Sequence, residues 1–290
     1  MITGMGEQSG LSRAPRLEGL CGEGTQDARA SILVTQPCAG IERLEARFSG
    51  QAFAPHRHDT YAIGLTLTGV QTFRYRGEAR FCLPGQCHIL HPDEQHDGAA
   101  GTDEAFSYRM VYVDPGLIQS ALGGRPLPFL ADPVVNLTDM QRQAMVSVWI
   151  GEDDADELSR SDLVATVTDL LVAATAGDGP PASLPLARLQ IVREKISACP
   201  TERHSMAELE RLSGLDRWSL ARQFRLAFGT SPSRFRTMRQ LDMVRSMIVS
   251  GTALADAAFA AGFADQSHMS RQFKRAYGMT PARWVEALRR

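Results

Sequence analysis

Arg222-Gln-Phe-Arg-Leu-Ala-Phe-Gly-Thr-Ser-Pro232 recurs 49 residues later as Arg271-Gln-Phe-Lys-Arg-Ala-Tyr-Gly-Met-Thr-Pro281, with six identities in eleven positions and three conservative pairs: Arg225/Lys274, Phe228/Tyr277 and Ser231/Thr280. A solenoid requires at least about three such copies to stack a core, and this chain has two. Each copy closes the same local pattern. In the first, an apolar-spaced helix (Met206, Leu209, Leu212) reaches Gly214-Leu215, and Asp216 caps a second helix running to Phe228, where Gly229 ends it. In the second, Leu254, Ala257, Ala258 and Ala261 form the first helix, Gly262-Phe263 the turn, and Asp265 the cap of a helix that runs to Tyr277 and Gly278. Helix, short glycine-containing turn, helix is the pattern of a helix-turn-helix.

The second helix of each unit divides into two faces. Leu220 and Phe224 turn inward, leaving Trp218, Ala221, Arg222 and Arg225 outward; Met269 and Phe273 do the same, leaving Gln266, Ser267, His268, Ser270, Arg271 and Lys274. Arg can donate two bonds to guanine and Gln two to adenine in the major groove, while Lys and further Arg suit phosphates. Between the units, Ser231 caps and Pro232 opens a helix reaching Ser250, with Phe235, Met238, Leu241, Val244 and Ile248 as its apolar stripe. Its length of roughly 28 Å approaches the roughly 34 Å between successive major-groove entries on one face of B-DNA.

Charge separates this region from the rest. Ala176 to Pro185 reads AGDGPPASLP, a stretch without apolar periodicity that marks a linker. From Leu186 to Arg290 there are 18 basic and 9 acidic residues, a formal +9; residues 1–185 carry 13 and 24, a formal −11. The chain's net charge of −2 hides this polarity, and a small domain at +9 attracts polyanions. No apolar run reaches the roughly 18 to 20 residues needed to span a bilayer, and the N-terminus carries no basic segment followed by an apolar one. The five cysteines are scattered, with no CxxC pair, which argues against a disulfide framework or a thiolate zinc site. A cytoplasmic protein is expected.

On these residues the basic half resembles the DNA-binding domain of the AraC/XylS family of bacterial transcription regulators over Leu186 to Leu288, most specifically from Asp256 to Pro281. The resemblance implies groove contacts at Trp218, Ala221 and Arg222, and at Gln266, Ser267, His268, Ser270 and Arg271. Ala221 departs from a hydrogen-bonding residue, which limits it to apolar contact with a thymine methyl. The resemblance also implies activation of transcription; RNA polymerase is a further expected partner, and a homodimer is expected because two chains give linked sites and a higher effective concentration.

The acidic half reads differently. Residues 1–28, rich in Gly, Ser, Glu and Arg, are expected to be a disordered tail. Short β-type segments follow at Ile32 to Thr35, Ile41 to Phe48, Ala62 to Thr68, Val70 to Tyr75, Glu78 to Phe81, His88 to Leu90 and Phe106 to Val113, with turns at Gly69, Arg76-Gly77 and Pro84-Gly85. This favours a barrel or jelly roll. Thr138 then caps a helix through Ile150 carrying Met145, Val148 and Trp149, and Leu163, Val167, Leu170, Leu171 and Ala174 stripe another; these stripes either pack on the barrel or pair with a second subunit. Five of seven histidines lie here, at 56, 58, 88, 91 and 96.

Over roughly residues 40–115 this half resembles the cupin-like, sugar-binding domain that precedes many AraC-type DNA-binding domains. His56-Arg-His58 with a later His is also similar to metal cupins, which add a Glu four or five residues on, where this chain has Ala62 and Ile63. No metal and no cofactor is therefore expected. The histidines read first as a pocket of His56, His58, Tyr61 and His96 for a small polar effector; a structural role and a complete metal site are the alternatives. The expected fold is α+β in two domains. Residues 29–175 form a cupin-like β-barrel with following helices, for effector binding and dimerisation; 176–185 the linker; and 186–290 an all-α domain with two helix-turn-helix units joined by a long helix. The function is an effector-modulated DNA-binding regulator; the alternatives are a metal-dependent cupin enzyme with an autoregulatory DNA-binding domain, or an architectural DNA binder. The acidic half is also expected to compete with DNA for the basic face.

Overall fold

A computed structural model describes residues 31–34, 39–150, 156–175 and 183–288. The tail expected over 1–28 and most of the linker, 176–182, lie outside the described residues. The N-terminal half begins with β1 (Ser31–Val34), β2 (Ile41–Phe48), β3 (Gln51–His56), β4 (Tyr61–Thr68), β5 (Gln71–Tyr75), β6 (Glu78–Cys82), β7 (Cys87–Leu90), β8 (His96–Ala100) and β9 (Phe106–Val113). It continues with α1 (Pro115–Leu122), β10 (Val134–Val135), α2 (Asp139–Ile150) and α3 (Glu157–Ala174). The strands form two antiparallel sheets, β1-β2-β9-β4-β7-β10 and β3-β8-β5-β6.

Period-two alternation gives the larger sheet two apolar faces. Ala62, His88, Leu90, Phe106, Tyr108 and Met110 look toward the smaller sheet, where Ala52, Phe73, Tyr75 and Cys82 complete a shared core. Their neighbours Tyr61, Ile63, Cys87, Ile89, Val111 and Val113 look the other way, onto α1, α2 and α3. The stripes of α2 and α3 are spent inside this second core: Met145, Val148, Trp149, Leu163, Val167, Leu170 and Leu171 are buried there. Packing on the sheet is thus the role the structure gives them. Thr138 closes a reciprocal cap with Gln141, its hydroxyl accepting from the Gln141 N–H at 3.2 Å while the Gln141 side chain accepts from the Thr138 N–H at 3.0 Å.

The C-terminal half is helical: α4 (Leu186–Ala198), α5 (Met206–Ser213), α6 (Arg217–Phe228), α7 (Pro232–Val249), α8 (Leu254–Ala260), α9 (Gln266–Tyr277) and α10 (Pro281–Leu288). Two cores share α7. Its Phe235 joins Leu189, Val192, Ile196, Leu209, Leu220 and Phe224, while Met238, Leu241, Val244 and Ile248 join Ala257, Ala258, Met269 and Phe273. The long helix is therefore a common wall that sets one unit's position against the other.

The two halves pack together through ion pairs that explain where part of the opposite charge goes. Arg193 of α4 donates to both oxygens of Asp114 at 2.8 and 2.6 Å. From α7, Arg234 meets Asp93 at 3.5 Å, Arg239 meets Asp59 at 2.7 Å and Arg245 meets Glu42 at 3.3 Å. These four arginines stand on α4 and α7, so these carboxylates engage the frame of the basic half rather than the outward faces of α6 and α9. Gln119, fully buried, donates to the Arg125 and Ala227 carbonyls and ties α1 to the end of α6.

Gly229 and Gly278, equivalent positions of the repeat, end α6 and α9 in the left-handed conformation at φ 72° and 73°. Both press on the β-sheet half. A Cβ on Gly229 would stand 2.5 Å from Pro92 Cβ, and one on Gly278 would stand 3.2 Å from the Ala54 carbonyl oxygen. Gly229→Ala is expected to lose about 1–2 kcal/mol from the backbone conformation alone, with more from the contact, read as a lower denaturant midpoint at unchanged slope.

Candidate nucleic-acid interface and histidine site

Asp216 caps α6 by accepting from the N–H groups of Trp218 and Ser219 at 3.0 and 3.1 Å, and Asp265 caps α9 by accepting from His268 N–H at 2.6 Å. The bonds from Ser219 hold the Asp216 carboxyl below the usual carboxylate range. Leu220 and Phe224, and Met269 and Phe273, anchor the two helices from beneath, each with no exposure. What remains outward is the set read from the sequence. Trp218 is 79% exposed. Arg222, Arg225, Gln266, Ser267, Arg271 and Lys274 are exposed; Ala221, His268 and Ser270 are half-buried. The His268 ring stands edge-on to Phe263 at 5.6 Å, which fixes it near the start of α9. One large side chain escaped the sequence reading: Phe259 on α8 is 85% exposed, and its place off the Leu254, Ala257, Ala258 stripe was the available signal.

In the other half, His56 and His96 are cross-strand partners of β3 and β8. Their rings approach to 4.3 Å, and His58 stands 4.8 Å from His96. Each Nδ1 faces a backbone carbonyl: Ala54 from His56 at 2.8 Å, Thr60 from His58 at 3.0 Å and Glu94 from His96 at 2.9 Å. Burial lowers the pKa of all three, His58 to about 3, and the neighbouring histidines add to the effect at His58 and His96. Three neutral imidazoles therefore share one enclosed spot. His88, fully buried against Phe73 and Tyr108, has no hydrogen-bond partner at either ring nitrogen among the described residues.

Tyr61 does not join this cluster. It begins β4 on the helix-facing side of the sheet, donates to the Pro128 carbonyl at 3.1 Å and lies against His91 instead. Period-two alternation places Ala62, one residue on, toward the site, and across the ladder from Ala62 stands Tyr112, whose ring meets His58 edge-on at 5.2 Å. Tyr112 takes the place expected of Tyr61; only the register of β4 on β9 reveals it.

Comparison with known proteins agrees with this two-part build. A family model described as an AraC-like ligand binding domain matches residues 39–151, and one described as a helix-turn-helix domain matches residues 209–287. The chain is 23% identical to the uncharacterized HTH-type transcriptional regulator YbfI of Bacillus subtilis, with 77% of this chain and 84% of that protein covered. It is 25% identical to the HTH-type transcriptional activator RhaS of Yersinia pestis, over 82% and 91% respectively. The solved structure of ToxT from Vibrio cholerae shares the fold at a TM-score of 0.60 and 12% identity, with 86% of this chain and 99% of that chain covered. A ToxT structure with unsaturated fatty acid bound matches at 0.58 and 13%, over 91% and 98%.

Proposed function

The chain belongs to the AraC/XylS family of helix-turn-helix transcription regulators, and from that premise we propose that it is an activator that reads promoter DNA with two helices and answers to a small molecule held in its N-terminal half. The observation that carries this reading is the duplicated unit: α6 and α9 present polar faces from equivalent positions, on a frame set by α7. Trp218, Ala221, Arg222 and Arg225 serve the first groove, and Gln266, Ser267, His268, Ser270, Arg271 and Lys274 the second. His56, His58 and His96, with Tyr112 in place of Tyr61, line the effector site. Residues 29–175 are the effector and dimerisation region, 176–185 the linker and 186–290 the DNA-binding domain. The protein works in the cytoplasm as a homodimer, in contact with RNA polymerase, and is not an enzyme. The name of RhaS as an activator supports the sign of regulation; the fatty acid in ToxT supports a small-molecule occupant for this fold.

A gel-shift titration against genomic fragments tests the reading. A selected fragment should bind at least about 10³-fold tighter than random DNA. With six to ten phosphate contacts, its affinity should fall about 10³- to 10⁵-fold between 50 and 200 mM salt. Equal affinity for selected and random DNA would overturn the assignment, and light scattering that gives a monomer at micromolar concentration would remove the homodimer.

A further inference from the structure

The donor set at His56, His58 and His96 has a property that an effector pocket does not require. A backbone carbonyl can only accept, so the bonds to Ala54, Thr60 and Glu94 place the hydrogen on each Nδ1, shared at His58 with the Thr60 hydroxyl oxygen at 3.2 Å, and leave each Nε2 with a bare lone pair. One ring nitrogen from each of the three histidines lies within 4.8 Å of the other two. Among the described residues, His58 Nε2 is buried with no hydrogen-bond partner. Lone pairs gathered in a desolvated site repel unless an electrophile lies between them. Imidazoles oriented by Nδ1–H bonds to carbonyls are the arrangement that metal-ligating histidines adopt.

We propose that His56, His58 and His96 hold one divalent first-row transition metal, with zinc the best fit, and that its binding moves the C-terminal end of α9. The proposal rests on the regulator reading above and names the effector of that site. Three imidazoles without a carboxylate suit zinc, nickel, cobalt or copper, and offer little to calcium or magnesium. The lack of a carboxylate at Ala62, which counted against a metal, instead leaves a fourth position for water or a ligand, as in three-histidine zinc sites.

The movement follows from size. Zinc–nitrogen bonds of about 2.0–2.1 Å in a tetrahedron set the nitrogens roughly 3.3 Å apart, so a cluster spread over 4.8 Å must contract. One wall of the site is part of the DNA-binding half. A Cβ on Gly278 would stand 3.4 Å from the His56 ring, and the Arg57 N–H donates to the Arg275 carbonyl of α9 at 3.0 Å. Drawing His56 inward therefore pulls on the end of the helix that carries Gln266 to Lys274.

The test uses the full-length protein freed of metal by chelation and titrated with zinc chloride. We expect about one zinc per chain, a Tm rise of about 5 °C or more at saturation, and at least a roughly tenfold change in affinity for the selected DNA fragment. His96→Gln should lose all three effects. His91→Gln, outside the cluster, should keep them, and the Tm of each variant without zinc verifies that it is folded. Zinc below about 0.2 per chain with no Tm shift would overturn the site. Stoichiometric zinc with unchanged DNA affinity would overturn the coupling to α9. Failure to bind DNA in either state would instead count against the regulator reading, with the zinc stoichiometry still deciding the site.

Discussion

Replacing Arg222 and Arg271 together by alanine is expected to weaken binding of the cognate site by about 10²- to 10⁴-fold. Each arginine stands on the outward face of its helix at the same position of the repeat and is exposed. A guanidinium that donates two bonds to a guanine edge is worth about 1–3 kcal/mol of discrimination. The two sites lie on different helices in different cores, so their losses should add. Because neither side chain is in a core, the double variant should keep the wild-type unfolding midpoint, and it should bind random DNA nearly as well as the parent. Gel shifts at fixed salt with cognate and random fragments measure both quantities. A double variant that binds the cognate fragment as tightly as wild type would remove these residues from the interface.

The second large effect concerns acid. Burial lowers the pKa of His58 to about 3 and of His88 and His91 to about 4, from an ordinary value of 6.5. Such a histidine takes up its proton only on unfolding, so its contribution to stability is lost as pH falls from about 6.5 toward 4. Between pH 7 and pH 5.5 each costs about 1 kcal/mol. His56 and His96 shift in the same direction and add to the loss. Asp59, pushed up by burial against the opposing pull of Arg239, works in the other direction by one group. Metal-free protein should therefore lose at least roughly 3 kcal/mol over that interval, a Tm drop of about 5–10 °C or more at this chain length. A Tm independent of pH from 7 to 5.5 would contradict burial of the neutral imidazoles.

The helical half was legible because its signals are local. Asp216, Asp265 and Ser231 cap the helices they were read to cap, and Gly229 and Gly278 end them. The strands Ile41–Phe48 and Phe106–Val113 were legible from alternation over part of each, at Leu44, Ala46 and Phe48 and at Phe106, Tyr108 and Met110. The strands that build the histidine site were not. Gln51–His56 contains Pro55 and register irregularities against its partner, and His96–Ala100 is short, polar and interrupted by Gly98. Neither carries a period-two pattern, and each exists because the other pairs with it. The helix Pro115–Leu122 was also missed; Asp114 caps it and also receives Arg193 from the other half, a contact 79 residues away along the chain. The meeting of the halves, through Asp59, Asp93, Asp114 and Glu42, is likewise a tertiary fact. Charge totals indicated attraction between the halves but not which arginines would be used.

One chain is proposed to read two successive major grooves from one face of the DNA. Hydroxyl-radical footprinting of the full-length protein on a selected genomic fragment would show both grooves at once. Each bound chain should leave two protected patches on the same face with centres about 10 to 10.5 base pairs apart, one weakened selectively by Arg222→Ala and the other by Arg271→Ala. A single patch per chain, or two patches on opposite faces of the duplex, would contradict it.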